Sequence, residues 1–356
     1  MSTAVALLVL VGPARAAVTT VHPGESIQAA IDAASPGDKI VVEAGVYHEN
    51  LTIAKNGITL RGAGARESGT VLKPAEPPTP TPCEGPPTGI CVRGEMDPTT
   101  GEPGTPVDGV TIKGFLVDGF PAHGVGSINA TDFTVKRTEA RNNGGYGIVG
   151  FVQSGIRYLD DVAHDNGEPG FYIGDSPQAN AEVVGNRSFH NVGPFEGFGF
   201  LFRDASHGLV KDNRAWDNCL GYFLVDSGEN PDPVSDWTLK GNEANGNNQG
   251  CTGGGEEQLP PFSGTGILLA GTNATVVKHN RVFDNVPSLD SPFSGGIVLV
   301  DGTPLGGAVP SDNTIKRNTA LGNEPADLIW DGTGQGNVFD ANRCDVSNPE
   351  GLCAGG

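Results

Sequence analysis

Asn186-Arg-Ser-Phe-His-Asn191 and Asn213-Arg-Ala-Trp-Asp-Asn218 are two copies of a motif that sets two asparagines five positions apart. The same spacing recurs, in full or in part, from Thr138, Asp161, Asn242, Asn280, Asn318 and Asn342. Successive copies begin 23 to 38 residues apart, so a unit of about 23 residues with insertions accounts for all of them. A period this short predicts a repeat architecture in which each unit packs on its neighbours.

Each unit contains three short apolar stretches. One precedes the first asparagine, as in Trp237-Thr-Leu239, one lies between the two asparagines, and one follows a glycine, as in Gly221-Tyr-Phe-Leu-Val225. Such short runs between turn residues indicate strands, and three strands per unit make one coil of a right-handed parallel β-helix. We expect each asparagine to lie at a sharp bend, to tolerate the left-handed conformation and to hydrogen-bond the coils above and below. The prediction is an all-β chain with a single right-handed parallel β-helix of about ten coils.

The N-terminal part of the chain carries the most specific pattern, in the stretches Ser26–Ala34, Pro36–Val42 and Gly45–Glu49. With these stretches and its repeats, the chain resembles the pectate-lyase-like parallel β-helix proteins. Ser26–Ala34 places small and apolar residues on one helical face, which predicts a helix that closes the open end of the coil stack. We expect this cap region over residues 17–37 and the β-helix over residues 38–343. The resemblance implies the fold and leaves the activity open, because that fold carries lyases, hydrolases, epimerases and non-catalytic proteins.

Composition excludes several classes of protein. The 356 residues include 54 Gly and 27 Pro, which would interrupt long helices, while an apolar fraction of 37% is sufficient for a core. The net charge of −20 argues against nucleic acid or an anionic membrane as a partner. Copper-linked β-helix proteins of nitrous-oxide reduction share the repeat type, but two Met and seven His are few ligands for copper delivery.

The first sixteen residues and the cysteines predict export. The apolar run Val5–Val11 followed by Ala14-Arg-Ala16 indicates a signal peptide over residues 1–16, too short to span a membrane. The alternative is an ordinary apolar strand. Six cysteines suit an oxidising compartment. Fifteen pairings are possible, and proximity in sequence favours Cys83–Cys91, Cys219–Cys251 and Cys344–Cys353, the last closing a tail over residues 344–356. We expect a secreted or periplasmic monomer.

Two families of insertions flank the glycine-led strands. One family precedes the strand, at Val192–Phe198, Gln249–Thr265 and Val286–Ser294, and the other follows it, at Ser227–Ser235 and Gly302–Ser311. They are expected to form two walls of a groove, and in the enzymes that this chain resembles the substrate groove also lies over the strand bounded by long loops. The alternative is that these loops merely tolerate length changes. The strand itself is apolar at both alternate positions, which predicts that its outer face is covered.

An acidic column follows the same strands at Asp175, Asp204 and Asp226. Aspartates that open turns would explain the column without any function. The functional interpretation makes Asp204 and Asp226 an acid and base pair about 5 Å apart, with Asp175 as an outer, orienting member. Arg203 would neutralise a substrate carboxylate or steady a charged partner, and His207 would move a proton.

Two further patterns suggest ligands. The loop that contains Asp226, Glu229 and Asp232 is a candidate calcium site, with a solvated acidic loop as the alternative. A lysine directly follows the last core-facing residue of the strand before the asparagine at Lys113, Lys136, Lys211, Lys240, Lys278 and Lys316. This column suggests a track for a polyanion such as a uronic-acid polysaccharide. The alternative is a solvated sheet face on which long lysine stems cover the strands.

The leading hypothesis for function is a secreted carbohydrate-active protein that acts on a polysaccharide by lyase, hydrolase or epimerase chemistry. The fold resemblance, the walled groove and the acidic column support it. The alternative is a non-catalytic extracellular β-helix that binds glycans or protein partners, which the apolar groove floor favours. The geometry of the acidic column and its loops separates the two, since an open cleft is required for catalysis.

Overall fold

The computed structural model describes residues 16–83, 85–193, 196–254 and 259–353. Apart from Ala16, the predicted signal peptide lies outside these ranges. The described chain winds as a right-handed parallel β-helix, because it passes through three parallel sheets in a fixed order and each strand pairs with its equivalent in the next coil. The predicted all-β class and right-handed parallel β-helix are confirmed.

The strands are short, and the described part of each sheet holds ten or twelve of them. The first sheet consists of Val18–Val21, Lys39–Val42, Thr59–Arg61, Thr111–Lys113, Thr134–Lys136, Arg157–Leu159, Ala181–Val184, Gly208–Lys211, Trp237–Lys240, Val276–Lys278, Thr314–Lys316 and Val338–Asp340. The second sheet consists of Gly45–His48, Thr70–Lys73, Phe115–Asp118, Glu139–Arg141, Val162–His164, Arg187–Phe189, Arg214–Trp216, Glu243–Asn245, Arg281–Phe283 and Thr319–Leu321.

The third sheet contains the glycine-led strands and the longest ones. It consists of Leu51–Ile53, Ile90–Arg93, Val125–Thr131, Ile148–Ser154, Phe171–Ser176, Phe198–Ala205, Leu220–Val225, Thr265–Ala270, Gly295–Val300, Leu328–Trp330 and Ser347–Asn348, with Val107–Asp108 paired beside them. A short 3-10 helix, Thr303–Leu305, lies in the loop that follows Gly295–Val300. The three apolar stretches of each repeat thus form one strand in each sheet.

One α-helix, Ile27–Ala33, stands beside the first strands of the described chain. Ser26 caps its N-terminus by accepting a hydrogen bond from the Ala29 amide at 3.1 Å. The Glu49 carboxylate accepts hydrogen bonds from the Ile27 and Gln28 amides at 2.8 and 3.0 Å. The first and last stretches of the N-terminal sequence pattern are therefore in contact, and this contact holds the helix on the coils. The two buried isoleucines of the helix pack in the core.

Two ladders of asparagine side chains run along the coil stack. Asn213, Asn242 and Asn280 lie in one ladder, in which each side-chain oxygen accepts from the backbone and side-chain nitrogens of the preceding rung. The second ladder is formed by Asn143, Asn166, Asn191, Asn218, Asn247, Asn285 and Asn323. The predicted stack is confirmed.

The conformation expected of these asparagines needs correction. The left-handed residue is the one before each ladder asparagine, as at Asp212 with φ 54° and Gly241 with φ 69°, which precede Asn213 and Asn242. The asparagine itself has an ordinary backbone because its side chain must turn inward to reach the next coil. The bend is made by one residue and secured by the next.

The core fills the inside of the coils with one side chain in two from every strand. Phe171, Phe200 and Tyr222 show the packing, since their rings stack 4.8 Å apart on successive coils. The third sheet is also apolar on its outer face, where a second cluster includes Tyr172, Leu201 and Phe223. Loops cover that face, as its two-sided apolar strands predicted.

Three disulfides join Cys83 to Cys91, Cys219 to Cys251 and Cys344 to Cys353, so the predicted pairing is confirmed. The second bond ties the long loop before Thr265–Ala270 to the coil on which it packs. None of the helices in the described ranges has the length and apolarity needed to cross a membrane.

Candidate functional site

A groove of about 600 Å³ lies on the outer face of the third sheet. Its floor is formed by Leu201, Phe223 and Val225, which point away from the coil interior. One wall comes from the insertions before the glycine-led strands and includes Phe262 and Phe293. The other comes from the insertions that follow these strands and contributes Ser227, Glu229, Pro304 and Leu305. The two loop families therefore enclose one groove over the strands.

Arg203 is the charged residue on the groove floor. Strand register sets it opposite Gly174 on one side and Val225 on the other, so its side chain leaves the sheet outward and remains 21% exposed. Its Nε donates to Ser227 Oγ at 3.0 Å and lies 3.4 Å from the Asp204 carboxylate. Its Nη2 donates to Glu229 Oε1 at 2.5 Å. The guanidinium thus joins the sheet to the loop that follows Leu220–Val225.

Asp175 and Asp204 occupy equivalent positions on neighbouring strands, and both have φ of 50°. The same coil position holds Asn129, Val152 and Gly271, which are also left-handed. Except at Val152, the left-handed bend is made by Asp, Asn or Gly, as turn chemistry predicts, while Asp226, the third member of the acidic column, is not left-handed. What distinguishes the two aspartates is the surroundings of their carboxylates.

The Asp204 carboxylate is buried and serves the neighbouring loop. One oxygen accepts from the Ser227 amide at 2.9 Å and the other accepts from the Ser227 hydroxyl. The Asp204 carbonyl oxygen accepts from Asn230 Nδ2 at 2.6 Å. These bonds hold the start of the loop against the strand and orient the carboxylate beside Arg203.

Asp175 is the carboxyl group of the site with unusual proton affinity, and Glu229 lies beside it. Acidic oxygens of Asp175, Asp204 and Glu229 lie within 4.8 Å of one another. Burial, a hydrogen bond to Glu229 and that group's negative charge together raise the pKa of Asp175 to about 6, while Arg203 opposes the shift. Near pH 6 Asp175 therefore gains and loses a proton beside a second carboxyl group, which is the arrangement of an acid and a base side by side.

Asp226 contacts backbone amides of the two loops in one groove wall. One of its oxygens accepts from the Gly228 amide at 2.9 Å and the other from the Ala308 amide at 3.2 Å. It is 3% exposed and joins the two loops of one groove wall. Among the described residues the carboxylate cluster contains Asp175, Asp204 and Glu229, and Asp226 is not part of it.

His207 lies at the bend toward the first sheet. Its Nδ1 is 3.6 Å from an Asp236 oxygen and its Nε2 is 3.4 Å from the Gln178 side-chain nitrogen. The structure thus brings together Asp175, Asp204 and Arg203 of the predicted site and adds Glu229. The signal for Glu229 was its place in the loop that directly follows the strand beside Arg203.

The carboxylate cluster only partly matches the predicted calcium site. Of Asp226, Glu229 and Asp232, only Glu229 belongs to it, and Asp232 is exposed. The Arg203 guanidinium already contacts Asp204 and Glu229, and both Asp204 oxygens accept hydrogen bonds from Ser227. Calcium needs six to eight oxygen ligands, so the donor set as folded does not fit this ion.

The fold and the walled groove place the chain in a recognised class. Residues 123–320 match the family described as the right handed beta helix region, and the chain belongs to that family. No curated protein matches the chain in sequence.

Solved structures resemble the chain in fold. The A-modules of two mannuronan C-5 epimerases of Azotobacter vinelandii, AlgE6 and AlgE4, are 17% and 18% identical, with TM-scores of 0.59 and 0.52. The alignment with AlgE6 covers 90% of each chain, and that with AlgE4 covers 92% of this chain and 95% of the other. DFA-IIIase from Arthrobacter chlorophenolicus A6, in complex with GF2, is 12% identical over 87% of this chain and 85% of its own, with a TM-score of 0.51.

Proposed function

We propose that this protein is a carbohydrate-active β-helix protein that takes a polysaccharide into the groove over the third sheet and acts on it. The observation that carries the proposal is the Asp175–Glu229 carboxyl pair, which lies beside Arg203 at the groove. Support also comes from the fold neighbours, which are epimerases of mannuronan and an enzyme crystallised with GF2.

The pair suits a reaction that moves protons on a sugar ring. Asp175, whose pKa is raised to about 6, supplies a proton in mildly acidic solution, and Glu229, held by Arg203, lies beside it to accept one. Lyase and epimerase reactions begin with removal of a proton beside a carboxylate, and hydrolysis needs an acid for the leaving oxygen. Asp204 is the positioning residue, because it fixes Ser227 and the loop that carries Glu229.

Non-catalytic glycan binding is the second candidate. The floor side chains Leu201, Phe223 and Val225, with Phe262 and Phe293 on the wall, offer apolar surfaces to the C–H faces of sugar rings. A binding protein requires nothing more from the groove. Turnover is therefore the observation that separates the two candidates.

The test is a panel of neutral and uronic-acid polysaccharides. Each is assayed for new reducing ends, for ultraviolet-absorbing unsaturated products and, by NMR, for changed sugar configuration. Asp175→Asn and Glu229→Gln are each expected to lower turnover by about 100-fold or more while the polysaccharide still binds. Asp212→Asn is the matched control, since Asp212 has a similar left-handed φ of 54° on an exposed bend of the first sheet.

The outcomes separate the candidates. Binding without turnover of any polymer supports the second candidate. Full turnover by both variants, with melting temperatures unchanged, would show that the carboxyl pair is not catalytic. Neither binding nor turnover on the whole panel would contradict both candidates.

The proposal includes export. Residues 1–16 would be removed as a signal peptide, and the cap region 17–37, the β-helix 38–343 and the tail 344–356 would form the mature protein. The three disulfides are compatible with an oxidising compartment outside the cytosol. Mass spectrometry of the mature N-terminus tests this part, and a chain that begins at Met1 would contradict it.

A further inference from the structure

A second large cavity, of about 750 Å³, lies where the first sheet turns into the second in the N-terminal half of the β-helix. None of its lining residues belongs to the groove over the third sheet. Six cationic side chains line it: Arg61, Arg66, Lys113, Lys136, Arg137 and Arg187. This concentration of positive charge stands on a chain whose net charge is −20.

The positive charge of the cavity is not balanced within the described chain. The two carboxylates in the lining are engaged: Glu139 lies 3.6 Å from Arg141 and 3.4 Å from His164, and Asp160 lies 3.7 Å from Arg137. In the ranges that the structure describes, no carboxylate lies within 4.0 Å of the charged nitrogens of Arg61, Arg66, Lys113, Lys136 or Arg187. Of the six lining cations, Arg137 is the one with a carboxylate at this distance among the described residues.

Strand register stacks three of these cations directly on one another. Arg61 pairs with Lys113, and Lys113 with Lys136, on consecutive strands of the first sheet. Neighbouring strands are about 4.8 Å apart, so like charges face each other across each step. Burial and the charges of Arg61, Lys39, Lys136 and Arg137 lower the pKa of Lys113. An anion placed along this row would relieve the repulsion.

We propose that this cavity binds a segment of anionic polysaccharide, a sugar chain that carries a carboxylate or sulfate on successive residues. The distance between successive stacked cations equals the strand spacing, and it is comparable to the length of one sugar residue in an extended chain. Successive anions of the sugar chain can therefore pair with successive cations. Arginines at the rim offer forked donors that match carboxylate and sulfate oxygens. The site is distinct from the groove and its function does not depend on catalysis there.

The same sheet provides a matched control. Lys240, Lys278 and Lys316 stack in register at the equivalent strand position, farther along the β-helix and outside the cavity. They share residue type, strand position and strand spacing with the stacked cations of the cavity. They lack the surrounding arginines Arg66, Arg137 and Arg187. Loss of binding confined to the cavity variant therefore reports on the cavity and not on lysine charge in general.

The experiment measures binding of a decamer of galacturonic acid by isothermal titration calorimetry. Asp175→Asn/Glu229→Gln protein is used throughout, so that turnover in the groove does not intervene. Adding Arg61→Gln, Lys113→Gln and Lys136→Gln is expected to weaken binding at least about tenfold, and raising NaCl weakens it further. Adding Lys240→Gln, Lys278→Gln and Lys316→Gln is expected to change the dissociation constant less than about twofold.

Further arms exclude other sources of the signal. Arg61→Gln/Arg66→Gln changes only exposed side chains, so it tests the site if the triple variant fails to fold. Unchanged binding in the folded cavity variants would overturn the proposal. Inorganic sulfate that competes with the decamer at equal concentration of anion would also overturn the proposal, because that result indicates a site for small anions. A DNA decamer that binds as tightly as the sugar decamer would overturn it as well. If the decamer binds the cavity while no polymer is turned over, only the groove proposal fails.

Discussion

Asp175 and Asp204 have the same backbone conformation on adjacent coils but different surroundings. The buried Asp204 carboxylate is saturated by the Ser227 amide and hydroxyl and lies beside Arg203. Asp175 is half-buried, faces Glu229 and has no such amide donor among its described contacts. One bend position of the repeat therefore holds an anchored carboxylate in one coil and a proton-binding one in the neighbouring coil. The loop after Leu220–Val225 presents the Ser227 donors to Asp204 and the Glu229 carboxylate to Asp175.

The raised pKa of Asp175 predicts a pH dependence of stability. The folded protein holds this proton with a pKa of about 6, whereas the ordinary value is 3.8. Its contribution to the free energy of unfolding is therefore complete below about pH 4 and is lost as pH rises through 6. Asp175→Asn removes this titration, so its melting temperature should rise relative to the natural protein between pH 4.5 and 7.5.

Differential scanning calorimetry at the two pH values measures the effect. The control is Asp212→Asn, which alters an exposed aspartate with a similar φ. It should change the melting temperature by the same amount at both pH values. If the difference between the Asp175→Asn variant and the natural protein were the same at both pH values, the raised pKa would be contradicted.

At the scale of elements, the asparagine ladders join each coil of the β-helix to its neighbours. The Asn242 side chain donates to the Val210 carbonyl at 2.8 Å and to Asn280 Oδ1 at 3.0 Å. Its own oxygen accepts from the Asn213 amide and side chain, each at 3.0 Å. All these groups are buried, so none can turn to water when a partner is removed.

Asn242→Ala should therefore lower the free energy of unfolding by on the order of 3 kcal/mol, since it leaves buried donors and acceptors without partners. Chemical denaturation measures the change. Asn245→Ala, three residues farther along and exposed, is the matched control and should cost less than about 0.5 kcal/mol. Equal losses in the two variants would mean that the ladder contributes little.

The cover of the third sheet is also an element-level feature. Phe262 contacts Phe198, Phe223 and Phe293 with ring centroids 4.9 to 5.8 Å apart, and Cys251 fastens its loop to Cys219. Aromatic packing and the disulfide together keep an apolar sheet face out of water. The groove is the part of this cover that remains open.

Across the whole molecule, charge is distributed unevenly. The net charge of −20 implies repulsion among carboxylates, while the cavity between the first and second sheets gathers six cations. Screening should relieve the repulsion of the folded state more than that of the expanded unfolded chain. We expect the melting temperature to rise by about 2 °C between low salt and about 0.15 M NaCl.

Thermal denaturation in NaCl and KCl measures this shift, and equal curves in the two salts exclude an effect specific to one cation. Sulfate salts are avoided because sulfate stabilises folded proteins by its exclusion from their surface, which would obscure the effect of screening. A melting temperature that falls as chloride salt is added would show that attractive pairs outweigh the net repulsion.

The sequence by itself determined the repeat, the fold class and the covered third sheet. Each of these rests on local, repeated features: strand length, glycine and asparagine spacing, and apolar residues at both alternate positions. A β-helix stacks units of similar sequence, so what holds for one coil holds for the next. The lysine column belongs here too, since its members fall into register on the first sheet.

Only the tertiary structure decided which side chains share a site. Glu229 joins Asp175 and Asp204 because its loop folds back over the strand, whereas Asp226 turns toward the Gly228 and Ala308 amides. Position in the repeat sets where a backbone bend lies, but the direction of a carboxylate depends on the path of an irregular loop. The cationic cavity was likewise decided by the tertiary structure, because Arg66 and Lys136 line the same cavity only when their coils are stacked.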